Sequence, residues 1–418
     1  MEVAVIGAGA AGLASCRELL REKHQVTVFE KSDNPGGIWV YETKTDTDLT
    51  GRSPQVFSSL YASLRTNLPR DLMAFTDYPF DSAGGGDDNW PRYPHHTKVL
   101  EYLQRFARDH NLEECLELNT EVTEVKPLTD NRWQVIAQGT ERVFDAVVVC
   151  NGHYSKPKLP NLPGIDQFLG QVIHSHNYRT PDPFLDKNIC LWGSAASGSD
   201  ISRELAKTAN RVYWCGSAFT KRLQNDAGVT CLPPPVAVTG NTIETAAGAI
   251  EDIDVFMYCT GYQYEFPFLA EGIVSVDDNR VSPLYLDILP IGFPTLAFIG
   301  IPYLIVPFPL FSRQATWFAR LLNKQFSLPD ETDMLQWITS KESASDGIAR
   351  HYHRLGPLQA EYLAEISALC SAEPVPQWFH DLAAEAQSAR LANPGKFRDS
   401  PLNQRGPTRV SDSDQPPP

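Results

Sequence analysis

Few of the features that announce whole classes of protein occur in this chain of 418 residues. Its 8 cysteines, Cys16, Cys115, Cys150, Cys190, Cys215, Cys231, Cys259 and Cys370, contain no C-x-x-C pair, and several lie in apolar runs, where a free thiol behaves as a small hydrophobe. That excludes a dithiol reductase and a zinc site of paired cysteines. It also points to a reducing, cytoplasmic setting rather than a disulfide framework. Positive charge is short: 36 Lys and Arg against 51 Asp and Glu give a net charge of −15. Surfaces for nucleic acid or anionic lipid need clustered cations, so neither partner is expected. No clean apolar run exists either. Residues 291–311 come nearest, but Pro294, Pro302, Pro307 and Pro309 would break a spanning helix, and a buried strand with an irregular loop after it is expected. Met1 leads directly into an apolar strand start, so no signal peptide is expected. The pairs His174/His176 and His351/His353 lack partnered acids or cysteines, so no metal site is expected. No Ser, His and Asp set marks a nucleophilic triad.

What is present is a frame that occurs twice. The first copy opens with an apolar strand at residues 3–6, continues as Gly7-Ala8-Gly9-Ala10-Ala11-Gly12, and enters a helical stretch to about Arg21. It closes with Asp145-Ala-Val-Val-Val-Cys-Asn-Gly152. The second opens with a strand at 189–192, continues as Gly193-Ser194-Ala195-Ala196-Ser197-Gly198 and a helix to about Lys207, and closes with Asp254-Val-Phe-Met-Tyr-Cys-Thr-Gly261. The pattern predicts an α/β fold of two doubly wound, Rossmann-like dinucleotide-binding domains. Another buried strand, at 294–300, and a helix at 314–322 would return to the first domain. The second is therefore inserted in the first: residues 1–157 and 280–391 form one domain and 158–279 the other, with crossings near 156–163 and 272–283. The glycine-rich stretch 81–89 reads as a flexible loop. The tail 392–418, rich in Pro, Ser, Asp and Arg, reads as disordered and dispensable.

The first turn has a clear chemical use. Gly7 permits the tight turn, Gly9 lets the backbone approach a pyrophosphate, and Gly12 allows helix and strand to pack closely, so that the helix N-terminus faces the phosphates. Glu30 ends the next strand, 18 residues after Gly12, where a carboxylate accepts both hydroxyls of a ribose. Gly36-Gly37-Ile38-Trp39 follows closely; paired glycines let backbone pass near a cofactor that Trp39 would cover. That extension suits FAD, whose flavin end needs its own cradle. In the second copy the residue that corresponds to Glu30 by count is Gly216. With no acid there to repel a 2′-phosphate, and Ser217, Lys221 and Arg222 just beyond, NADPH is favoured over NADH.

Further residues carry a family resemblance. Phe168-Leu-Gly170-Gln-Val-Ile-His174-Ser-His-Asn-Tyr178 matches the F-x-G-x-x-x-H-x-x-x-Y fingerprint of flavin-containing monooxygenases. Cys259-Thr-Gly261-Tyr262 resembles that family's A-T-G-Y segment with Cys for Ala. Ser63-Leu-Arg-Thr66-Asn67-Leu-Pro69-Arg70 and Ala196-Ser197-Gly198-Ser199-Asp200 look like its compact plant and fungal members, which oxygenate nitrogen or sulfur. The resemblance runs in order from about Val3 to Leu328. It implies Ala10, Ala11, Lys31, Thr66, Asn67, Val122 and Gln314 along the FAD, and Gly193, Ser197, Gly198, Ser199, Asp200, Thr260 and Gly261 along the NADPH. His174 and Tyr178, in the connecting segment, are expected to buttress structure rather than to react.

The resemblance also implies a mechanism. NADPH reduces FAD, a C4a-hydroperoxyflavin forms with O2, and a soft nitrogen or sulfur nucleophile of a small molecule attacks it. The protein's own contribution is exclusion of water and a hydrogen bond near the flavin N5 from Asn67, the one catalytic residue expected. Two other readings stand beside it: Baeyer–Villiger oxygenation of a ketone, where such enzymes usually carry Trp in place of Tyr178, and a non-catalytic flavin-binding module. Substrate identity is not readable, and a homodimer is allowed but not required.

Overall fold

Val3, Ala4 and Val5 are wholly shielded from solvent. A strand buried on both faces belongs inside a parallel sheet. The computed structural model, which describes residues 1–225, 227–345 and 347–403, builds such a sheet around it. Five parallel strands run in the order Leu296–Phe298, Ala146–Val149, Glu2–Ile6, Gln25–Phe29 and Leu116–Glu117. Winding direction reverses on either side of Glu2–Ile6. Its carboxyl end, where Gly7 begins, is thus the switch point at which open α/β sheets bind ligands. Helix Ala10–Arg21 packs against helix Pro307–Leu322, where the Thr316 hydroxyl donates to Glu18 at 3.1 Å and the Asn323 amide to Glu22 O at 2.8 Å. An antiparallel sheet of Val122–Pro127, Trp133–Ala137 and Thr140–Phe144 brings Phe144 edge-on to Phe29, with ring centroids 5.9 Å apart. Helices Glu331–Ala344, Gln359–Leu369 and Gln377–Ala392 complete this first unit, which takes Met1–Asp33, Arg65–Cys150 and the chain from Pro283 onward.

The second unit, Asn34–Leu64 and Asn151–Ser282, repeats the plan. Its sheet runs Leu223–Gln224, Thr230–Leu232, Arg211–Cys215, Asn188–Trp192, Val255–Tyr258, Gln171–His174, parallel except for the Leu223–Gln224 edge. Helix Ala196–Leu205 follows the central strand. A three-stranded antiparallel sheet, Pro235–Thr239, Thr242–Thr245 and Gly248–Ile250, stands where the first unit has its own. The concealed repeat in the sequence is thus a repeat of whole folds. Among the described residues, no helix is long and apolar enough to cross a membrane.

Four places differ from what the sequence suggests. Helix Pro307–Leu322 begins earlier than residue 314. Pro307 occupies its first turn, where no N–H is required and the fixed φ is already helical, so proline starts the helix here instead of preventing it. The stretch 81–89 is a packed turn and not a flexible loop. A Cβ on Gly84 would lie 2.4 Å from Pro79 O, and one on Gly86 2.0 Å from Phe80 O. Glycine is needed there for close approach, and Arg105 and Arg70 hold the turn by the Gly86 and Asp88 carbonyls at 3.1 Å each.

Residues 34–64 group with the second unit although the sequence assigns them to the first. Arg179 explains it: its guanidinium donates to Glu42 O at 2.6 Å, Lys44 O at 3.0 Å and Ser58 O at 3.1 Å. Asn177 accepts from Asp46 N at 2.8 Å, and the Asp46 carboxylate caps Gln55 N and Val56 N. Finally, residues 392–403 are docked rather than disordered. Phe397 and Leu402 are buried, and Phe397 meets Tyr93 edge-on at 5.4 Å. Two apolar residues spaced among polar ones are enough to seat a short segment. Residues 404–418 of the expected tail lie outside the described residues.

Candidate functional site

The first turn is closed by backbone contacts that leave no room for side chains. Gly7 (φ 100°) donates its N–H to Phe29 O at 2.8 Å, which ties the turn to the end of the neighbouring strand. A Cβ on Gly12 would stand 1.8 Å from Gly7 O, so nothing but glycine fits. Gly9 caps the helix in an extended conformation (φ −74°, ψ −172°) that any residue can adopt. Its value is therefore space and not backbone freedom. No side chain caps this helix, which leaves the first-turn N–H groups at Ala10 and Ala11 for an anion. Buried Glu30 points back at the turn: one oxygen accepts from Ala8 N at 2.7 Å and the other from Ser32 N and Oγ at 2.9 and 2.7 Å. A carboxylate so oriented at a phosphate-type turn fits the ribose end of a dinucleotide. The reading of the sequence missed Ser32, although E-x-S spacing was visible. Exposed Lys31 follows Glu30, and Val122 is buried at an irregularity in its strand pairing.

Thr66 and Asn67 belong to the same unit. Thr66 is buried, its hydroxyl donating to Leu68 O at 2.8 Å and its N–H to Pro94 O at 2.9 Å. Pro69 (φ −65°) then starts the short helix Arg70–Met73. Asn67 itself is half-buried, and among the described residues its amide has no hydrogen-bond partner. It therefore does not cap a turn; its donor and acceptor are available to a ligand. Gln314 is different. It is fully buried, its oxygen accepts from Gly300 N at 2.9 Å and its amide donates to Tyr362 Oη at 2.6 Å. Tyr362 in turn donates to Leu286 O at 2.6 Å. With those partners Gln314 fixes the left-handed Gly300 turn (φ 90°).

In the second unit the same construction recurs. Gly193 (φ 146°) donates to Cys215 O at 2.9 Å, and a Cβ on Gly198 would lie 2.2 Å from Gly193 O. Ala195 holds the conformation of Gly9 (φ −91°, ψ −167°), again with no side-chain cap. Because Gly193 bonds to the last residue of its neighbouring strand just as Gly7 bonds to Phe29, Gly216 is the structural counterpart of Glu30. Exposed Ser217, Lys221 and Arg222 follow it, and no carboxylate stands in that position. Ser197 is half-buried near the helix start. Ser199 and Asp200 already have partners: Arg203 donates to Ser199, and Tyr61 Oη donates to Asp200 at 3.2 Å. The Thr260 hydroxyl donates to Lys158 O at 2.5 Å and Gly261 O accepts from Lys158 N at 2.8 Å.

Gly36 and Gly37 have φ of 138° and 55°, which explains the glycine pair; with Ile38 and Trp39 they form a short turn, Gly37–Trp39, that groups with this unit. The fingerprint residues are internal. His174, His176 and Tyr178 are fully buried, and Tyr178 Oη donates to Glu204 at 2.9 Å. Burial, with His176 beside it, pushes the His174 imidazole down to about 3, so it is neutral.

Comparison with known proteins agrees with this geometry. Residues 1–225 and 236–382 match the family model described as flavin-binding monooxygenase-like. The chain is 39% identical over 420 residues to flavin-containing monooxygenase FMO GS-OX-like 3 of Arabidopsis thaliana, covering 95% of this chain and 93% of that protein. Among solved structures, S-allyl-L-cysteine S-oxygenase from Allium sativum superposes with a TM-score of 0.91 at 39% identity, covering 96% of this chain and 95% of that one. Tmm from Pelagibacter sp. strain HTCC7211 shares the fold, with a TM-score of 0.84 at 22% identity over 97% of this chain and 94% of its own. The chain belongs to the flavin-binding monooxygenase-like family. It is a monooxygenase of a flavin-binding family.

Proposed function

We propose that this member of the family transfers one oxygen atom of O2 to a soft nucleophile of a small molecule, sulfur in a thioether before nitrogen in an amine. The observation that carries the reading is the pair of matched turns: the same closure by glycine in both units, a ribose-facing carboxylate in one and none in the other. The preference for sulfur rests on the likeness to S-allyl-L-cysteine S-oxygenase at 39% identity. In this reading the first unit holds FAD and the second NADPH.

When bound, the flavin receives the reducing equivalents of NADPH and supplies the oxygenating chemistry. The chain's own residues do the rest. First-turn N–H groups after Gly9 and after Ala195 hold the two pyrophosphates. Glu30 accepts the ribose hydroxyls of one dinucleotide, and the cationic stretch after Gly216 receives the 2′-phosphate of the other. The Asn67 amide, without a hydrogen-bond partner among the described residues and held between Thr66 and Pro69, gives a directed neutral dipole where oxygen is handed on. No side chain is required to carry a proton, and the neutral, buried His174 is consistent with that.

Two experiments test this. Oxygen-saturated enzyme with NADPH and a panel of thioethers, amines and ketones should yield sulfoxides first, read by mass spectrometry. Ketone-derived esters as the main product would overturn the assignment, and NADPH consumption no faster than buffer would reduce the chain to a non-catalytic module. Second, Asn67→Ala should release hydrogen peroxide in place of product. Loss of one such donor is worth about 3 kcal/mol, on the order of a hundredfold in oxygen transfer. Anaerobic bleaching of the flavin by NADPH should stay within about twofold of the parent, because hydride transfer asks only for stacked rings. Full coupling in Asn67→Ala would remove Asn67 from the mechanism.

A further inference from the structure

Beyond helix Gln377–Ala392 the chain lies as a strap across the loop that carries Asn67. Phe397 anchors it, buried against Tyr93. The Arg398 guanidinium sits 4.7 Å from the centre of the Phe397 ring. Its Nε donates to Thr66 O at 2.8 Å and its Nη2 to Arg65 O at 3.4 Å. Arg65 returns an ion pair to Asp399 at 2.9 Å. Farther along, Arg92 donates to Leu402 O at 3.2 Å, and Asn403 N donates to the Glu385 carboxylate at 2.7 Å. Pinned at both ends, the strap places one arginine on the two backbone carbonyls that precede Asn67.

That placement matters because of what Asn67 lacks. Among the described residues the Asn67 amide has no hydrogen-bond partner, so its direction follows from its backbone. The plane of the Thr66–Asn67 peptide is set by the Thr66 carbonyl, and Arg398 holds that oxygen. On the other side Pro69 already restricts the chain. A guanidinium is well matched to this place, since its planar fork reaches two carbonyls at once, whereas an ammonium on a flexible stem reaches one.

We propose that Arg398 is a positioning residue for oxygen transfer: through the Thr66 carbonyl it sets the direction of the Asn67 amide, and the strap of residues 397–403 is the device that brings it there. The proposal rests on the role given to Asn67 above.

The test uses the full-length holoenzyme as parent, Asn67→Ala, Arg398→Ala, Arg398→Lys and the double variant Asn67→Ala/Arg398→Ala. Amide hydrogen exchange by mass spectrometry is followed over residues 65–70, with peroxide released per NADPH, the anaerobic rate of flavin reduction and the melting temperature. Arg398→Ala should speed exchange at 65–70 about tenfold, the loss of one charge-assisted hydrogen bond, and leave the strands at 2–6 and 188–192 unchanged. Peroxide per NADPH should rise several-fold while flavin reduction stays within about twofold. Arg398→Lys should fall between parent and Arg398→Ala. The double variant should be no worse coupled than Asn67→Ala alone, since both act through one amide.

Unchanged exchange at 65–70 in Arg398→Ala overturns the proposal, as does full coupling in that variant when Asn67→Ala is uncoupled; in the second case the Asn67 assignment survives. Full coupling in Asn67→Ala overturns that assignment and the oxygen-transfer role of Arg398 with it. If Arg398→Ala does not fold, Arg398→Lys decides: a folded protein with parental exchange and coupling would overturn the proposal.

Discussion

Gly12 and Gly198 do the same work in the two units, whereas Glu30 and Gly216 do opposite work. Each of the first pair lets a helix start within van der Waals reach of its own strand. A Cβ would meet Gly7 O at 1.8 Å in one case and Gly193 O at 2.2 Å in the other. Closure is therefore a requirement of the fold, met in the same way twice. The second pair occupies one structural position and differs in charge there, which in the proposed reading sets the dinucleotide each unit takes. Such a comparison separates what a dinucleotide-binding unit must have from what it is free to vary. Gly9 and Ala195 differ too: both hold an extended backbone conformation, so what varies between them is the space their side chains leave.

The strongest way to break the comparison is to fill each closure. Gly12→Ala should lose about 3 kcal/mol, the upper end of overpacking costs, and purify without flavin colour. Gly198→Ala should purify yellow yet fail to oxidise NADPH. Absorbance of the purified protein and a melting curve check both, and a yellow Gly198→Ala that turns over NADPH like the parent would show that the second closure is dispensable.

Next in size is a swap at the position that differs. Gly216→Glu gives the second unit the carboxylate that the first has. Its Cβ would lie 2.2 Å from Ser194 Oγ, a hydroxyl that can turn away. kcat/KM for NADPH should fall by about tenfold to a hundredfold, roughly 1–3 kcal/mol of repulsion and lost contact, while that for NADH changes little. Equal losses for the two cofactors would mean a damaged turn and not a changed preference. The reverse change, Glu30→Gln, removes charge but keeps shape. It should weaken FAD about tenfold, measured by flavin release on dilution.

The smallest effect sharpens the likeness. Cys150 and Cys259 occupy matching places at the ends of the closing strands, both buried, and burial pushes each thiol up to about 12. Neither thiol is suited to attack. Cys150→Ala and Cys259→Ala should each cost about 1 kcal/mol or less in stability and leave turnover at parental levels, read by denaturant titration and NADPH consumption.

Legibility in the sequence follows how local each feature is. The strand, glycine turn and helix of each unit lie within about twenty residues, and the spacing of Gly12 and Glu30 carries its own geometry, so both turns are readable. The Asn67 loop is readable only by resemblance; nothing in Thr66-Asn67-Leu68-Pro69 states that the amide has no hydrogen-bond partner among the described residues. Three features depend on partners outside their own segment and read otherwise in the sequence. Residues 34–64 group with the second unit because Arg179 and Asn177 hold their backbone, and no pattern within 34–64 foretells that. Gly84, Gly85 and Gly86 look like a flexible linker until Pro79, Tyr78 and Phe80 are seen against them. Phe397 and Leu402 are too sparse to signal a core segment, yet suffice to seat the strap. Pro307 misleads for a different reason: proline forbids a helix interior but favours a helix start, and its position in the helix decides which rule applies.

One feature of the first sheet bears on how the protein comes to exist. Its edge strand, Leu296–Phe298, pairs with Ala146–Val149, and the whole stretch Asn151–Ser282 is translated between them. On the ribosome, Ala146–Val149 therefore emerges with one flank unpaired and waits there through the synthesis of that stretch. Strands at such separation are slow to find one another, and the strap over Asn67 is made later still. The first unit is thus completed only after the second has been synthesised, and a nascent chain stalled near residue 282 presents an open, apolar strand edge, the natural object of a chaperone.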